Sequence, residues 1–151
     1  MGHKQDFWEP LRRMMARPIG SLVTGVRCSN ESPARFVGYV EMGEEEFEKE
    51  LDQMGFHRNP LAYWKKTLEV LGHEEGSWRS VDGDWQLHVV LYSRDEYPDR
   101  TYIYAHWEKR WDRAPIAHLN TDGFNVSKGV NKMRRELTLA GISFYDDPEI
   151  V

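Results

Sequence analysis

Apolar and polar positions alternate through the stretch 77–109, and that alternation, interrupted twice by turn residues, predicts an antiparallel β-meander. The dipeptide Asp82-Gly83, a preferred hairpin turn, marks the first interruption. A two-residue loop there pairs Val81 with Asp84, Ser80 with Trp85, Arg79 with Gln86, Trp78 with Leu87 and Ser77 with His88. The polar stretch 93–100, with Pro98 inside it, marks the second. Symmetric pairing about it sets Tyr92 against Tyr102, Val90 against Tyr104 and His88 against His106. A slip of one residue would turn a strand over, and this register is the one that gathers the aliphatic residues on one side.

Two faces follow, because successive side chains of a strand point opposite ways. One carries Trp78, Trp85, Leu87, Val89, Leu91, Ile103, Ala105 and Trp107, and is expected to pack on helices. The other carries Ser77, Arg79, Gln86, His88, Val90, Tyr92, Tyr102, Tyr104, His106 and Glu108, and is expected to be half-exposed and amphiphilic.

Elsewhere the apolar period is that of a helix. In 44–54, Phe47, Leu51 and Met54 form one stripe, four of the first five residues are acidic, and Gly55-Phe56 supplies the stop. Asn59-Pro60 opens a helix over 60–71 with Leu61, Trp64, Leu68 and Leu71 on one side, although 63–70 also alternates well enough for a strand. The last helix, 127–140, turns Val130, Met133 and Leu137 inward and ends at Gly141-Ile142. Glu9-Pro10 starts a short helix over 10–16. Two β-like runs at 21–28 and 35–42 read as an N-terminal hairpin, weakened by Gly25 and Gly38. The fold class is therefore α+β: an antiparallel sheet, the meander extended by the hairpin 21–42, with helices on one face.

A chain of 151 residues, 40% apolar and 30% charged, suits a single domain with its own core. The net charge of −5 argues against a domain-wide basic footprint for nucleic acid or an anionic membrane. The single cysteine, Cys28, allows no internal disulfide and no Cys-rich zinc site, and reads as a buried small residue. Without an apolar leader or a spanning run, a soluble cytoplasmic protein is expected. No phosphate-binding glycine motif, nucleophile elbow or Walker sequence occurs, and no cofactor is expected.

Candidate chemistry collects on the second face of the meander. His88 and His106, opposed across two strands, can take and give a proton about a phosphodiester, with Arg79 on the phosphate and Glu108 orienting an imidazole. A sheet face bearing His, Glu and Arg is similar in kind to the active face of small microbial ribonucleases. The same His88, His106 and Glu108, with His118 from the following loop, also read as a two-His, one-carboxylate metal set. Tyr92, Tyr102, Tyr104 and Gln86 can instead bind without catalysis, with Arg79, Lys109 and Arg110 meeting phosphates. Lys128, Lys132, Arg134 and Arg135 form a basic helix face fit for a polyanion. The plain alternative is that the Tyr92–Tyr102 and His88–His106 pairs only stabilise their hairpin. The expected function is recognition of a macromolecular partner or polar ligand by this face. A small hydrolase or ribonuclease-like enzyme on the same residues is the alternative.

Overall fold

The meander is present, in the middle of a five-stranded antiparallel sheet. The computed structural model describes residues 32–58, 73–110, 112–114, 116 and 123–147, of 73–75 the backbone only. Its strands are β1 (Phe36–Val40), β2 (His57–Arg58), β3 (His73–Asp82), β4 (Trp85–Arg94) and β5 (Tyr97–Lys109). They lie in the order β1-β5-β4-β3-β2. The helices are α1 (Glu44–Gln53) and α2 (Val126–Leu139). Among the described residues no helix is long and apolar enough to cross a membrane. The helices expected over 10–16 and 60–71, the strand expected over 21–28, Cys28 and His118 lie outside the described residues.

The second hairpin has the expected register, with His88 opposite His106, Val90 opposite Tyr104 and Tyr92 opposite Tyr102. Its turn is tighter than expected. Arg94 pairs with Tyr97, so the strands run through most of the polar stretch, with a bulge at Ser93/Arg94. Arg100 explains part of this, stacking over the rings of Tyr39 and Tyr97 and bonding Glu41 at 2.7 Å. Such contacts give a polar strand end partners on its neighbours.

The first hairpin differs by two residues. Asp82 pairs with Trp85, so the loop is Gly83-Asp84, with Gly83 at φ +61. A primed turn needs positive φ at its first central position, and glycine takes it without strain. The slide sets Arg79 opposite His88 and Ser77 opposite Val90. Because a slide of two preserves the alternation, every residue keeps its predicted face. β3 begins at His73, ahead of the stretch 77–109 marked by the alternation, and the two-residue β2 was too short to give a periodic signal.

β1 pairs with β5. Gly38 sits at a bulge with φ +154, where an added Cβ would lie 2.6 Å from the Tyr145 carbonyl oxygen. Glycine at this point thus lets the Tyr145 backbone close on Tyr39, with bonds of 2.8 and 2.9 Å. It is an adaptation rather than the weakness the sequence suggested.

Both described helices form as expected. α1 carries three glutamates in its first turn, buries Phe47 and Leu51, and ends at Gly55 (φ +85) with Phe56 folded back onto the Leu51 carbonyl. α2 buries Gly129, Val130, Met133 and Leu137 and closes in the same way, through Gly141 and Ile142. Asn125 caps it, its side chain accepting from the Lys128 amide at 2.8 Å. Asn125→Ala should cost about 1 kcal/mol, a fall of roughly 2–4 °C in Tm. Thermal denaturation checks it; an unchanged Tm would mean that the cap is redundant.

The aliphatic residues of β3, β4 and β5 join those of α1 and α2 in one core. The opposite face differs from expectation. Phe36, Tyr39, Val90, Tyr92, Tyr102 and Tyr104 form a second buried cluster, with Tyr92 and Tyr104 edge to face at 5.3 Å. The centre of the sheet is buried on both sides.

Candidate metal centre

Alternation and register together assemble the site. On β4, Gln86 and His88 point to the tyrosine-bearing face. Directly across on β5 stand Glu108 and His106. β3 adds Ser77, which reaches diagonally to His88. All five are buried: Ser77 and Gln86 at 0%, Glu108 at 1%, His88 and His106 at 2% exposure.

The donor atoms converge. His88 Nδ1 lies 3.3 Å from His106 Nε2 and 3.3 Å from Glu108 Oε1. His106 Nε2 lies 2.9 Å from Glu108 Oε2. One ligating atom from each of the three residues can be chosen so that all lie within 4.8 Å of one another. Ser77 Oγ lies 2.5 Å from His88 Nε2, and Gln86 Nε2 donates to Glu108 Oε1 at 2.7 Å. The imidazoles meet edge to face, and the Phe124 ring stacks on His106 at 4.7 Å. Behind His106, Gly129 of α2 rests directly on the strand backbone.

No family model, curated protein or solved structure matches this chain. The chemistry of the cluster itself therefore carries the functional argument.

Burial pushes the Glu108 carboxyl up. Hydrogen bonds from His106 and His88, and the charge of those rings, outweigh it and hold the carboxyl well below the usual carboxylate range. Glu108 is thus an anion in a buried setting, which calls for a cation beside it, whether an imidazolium or a metal ion. The spacing suits a metal. Zn–N bonds of 2.0–2.1 Å give a tetrahedron about 3.3–3.4 Å on an edge, against the 3.3 Å between the two imidazole nitrogens. Ser77 can accept from the far N–H of His88 and Gln86 can hold the carboxylate, the outer contacts that orient metal ligands.

Apart from Arg79, the other expected site residues lie away from this centre. Arg79 stands beside His88 in register and is half-buried. Tyr92, Tyr102 and Tyr104 belong to the second buried cluster and offer no open stacking face. Lys128 and Lys132 hold their ammonium groups over the Trp107 ring at 4.6 and 4.4 Å, and Arg135 is exposed on the same helix. Trp107 belongs to the aliphatic core, so the sheet separates these cations from the tyrosines. Lys109 lies over Trp85, and Arg110 is engaged with Asp112. The sheet face expected to be half-exposed is therefore sealed, and the basic helix face lies on the other side of the sheet. Sequence reasoning placed Ser77 on the right face but gave it no role. It did not find Phe124 or Gly129, although a glycine within the apolar stripe of a helix is itself a signal of close approach.

Proposed function

We propose that this protein binds one divalent metal ion through His88 Nδ1, His106 Nε2 and the Glu108 carboxylate. The observation that carries the reading is the convergence of these donors at 2% exposure or less. Donors this buried suit an ion held among them better than a substrate approaching from solvent. Acid–base work on a phosphodiester needs imidazoles within reach of the substrate, whereas these two are turned toward each other and toward Glu108. The sequence Ser77, His88, Glu108 has the order of a serine-hydrolase relay, yet Ser77 is fully buried inside a strand, unlike a nucleophile raised on a turn. In the metal reading the same serine has a use, because it sets the tautomer and orientation of His88.

Protein stripped with a chelator and titrated with Zn²⁺, Mn²⁺ and Co²⁺ by calorimetry should bind one equivalent of at least one of them. An ion at 100 times its Kd should add about 2.7 kcal/mol, raising Tm by roughly 5–10 °C. His106→Gln should lose both effects. Silence of the wild-type protein toward all three ions would sink the metal reading and leave the cluster as a hydrogen-bonded lock on the sheet register.

A further inference from the structure

We infer that Gln86 is the fourth donor of this centre, so that protein atoms alone close the coordination shell; the inference rests on the metal reading above. Gln86 is fully buried, directly opposite Glu108 and two residues from His88 on the same face. Its amide meets Glu108 Oε1 at 2.7 Å. The end of the amide that faces the carboxylate is the NH₂ group, which donates to it. The other end, Oε1, is buried with no hydrogen-bond partner among the described residues. A buried amide oxygen left in that state is costly, and native proteins rarely tolerate it. A cation beside Glu108 removes the cost, because a carbonyl oxygen is a ready neutral ligand. The amide then does two things at once, donating to one carboxylate oxygen and presenting its carbonyl to the ion.

Two consequences follow for the ligand and its role. The donor set becomes two imidazoles, a carboxylate and an amide oxygen, without thiolate, which suits Zn²⁺ or Mn²⁺ over Cu⁺. Four protein donors also mark structural zinc sites, whereas catalytic sites keep one position for water. The ion therefore joins β4 to β5, and through Ser77 to β3, rather than activating a water molecule.

Co²⁺ is the probe, since its visible ligand-field spectrum reports coordination number. In the wild-type protein the Co²⁺ spectrum should ignore added azide, because no position is open. Gln86→Leu should bind Co²⁺ at least about 100-fold more weakly, beyond the usual effect of an outer contact, and its spectrum should now shift with azide. Gln86→Glu keeps an oxygen donor, so it should bind within tenfold of wild type or tighter and stay insensitive to azide. It also serves should the leucine variant not fold. A wild-type Co²⁺ spectrum that shifts with azide, a Gln86→Leu spectrum identical to wild type, or a folded Gln86→Glu that does not bind would each overturn the inference. In all three cases stoichiometric binding by the wild-type protein would leave the three-residue metal site standing. Failure of the wild-type protein to take Co²⁺, Zn²⁺ or Mn²⁺ would remove both.

Discussion

Gly129→Ala is expected to destabilise the protein, although local propensity alone predicts the opposite. Alanine in a helix interior is better than glycine by about 1 kcal/mol. An alanine Cβ at this position, however, would lie 2.3 Å from His106 Cα, 2.4 Å from His106 C and 2.5 Å from the Trp107 nitrogen. These are backbone atoms of β5, a strand paired on both sides, and they have no rotamer by which to yield. Relief requires α2 to lift off the sheet and loosen Val130 and Met133 in the core. Such overpacking falls at the upper end of its range, about 3 kcal/mol or more. The clash wins, and the net loss should be at least about 2 kcal/mol, or roughly 4–8 °C in Tm. Urea denaturation of the two proteins checks it. A Gly129→Ala variant as stable as wild type would mean that α2 does not rest on His106. If the proposed metal site is occupied through His106 Nε2, the same change should also weaken that binding.

The second large effect belongs to Glu108, measured with chelator present so that only protons occupy the centre. Glu108 is the shared acceptor of His88, His106 and Gln86. Replacing it by alanine leaves three buried donors facing a gap. Removing one member of a buried charged network costs about 3–5 kcal/mol, which corresponds to roughly 6–20 °C in Tm. The milder Glu108→Gln gives the pH dependence. The folded carboxyl is held below its ordinary value of 4.5, so in the folded state it keeps its charge where the unfolded chain gains a proton. Its contribution is complete above about pH 4.5 and is lost progressively as the pH falls below that value. A protonated glutamate resembles glutamine in shape and charge. The stability gap between wild type and Glu108→Gln should therefore be widest near neutrality and narrow steadily in acid. A gap that stays constant from pH 7 to pH 3 would mean that the carboxyl draws nothing from its two imidazoles.

Much of the site is legible in the sequence. The opposition of His88 and His106 came from the alternation of aliphatic residues about a polar turn. Glu108 and Gln86 followed from it by counting in twos. The first hairpin slid by two residues without harm, since faces depend on parity and not on the particular partner. The helices were legible for the same local reason. Phe47 and Leu51 in α1, and Val130, Met133 and Leu137 in α2, repeat with the helical period, and a glycine ends each stripe.

What misled was exposure. Tyr, His, Gln and Glu on alternate positions look like a wet surface, yet Tyr102 and Tyr104 are as buried as Ile103 between them. Alternation tells which residues share a face; it carries no information on what lies against that face. The sequence by itself determined the three strands of the meander, their faces, the two capped helices and the meeting of two imidazoles with a carboxylate, because these depend on neighbours one to four residues apart or on a single hairpin. Only the tertiary structure decided that the cluster is sealed, that Ser77 and Phe124 hold its rings, that α2 presses on His106 through Gly129, and that the lysines of α2 lie across the sheet from the tyrosines. Those outcomes depend on packing between segments distant along the chain, which no local pattern encodes.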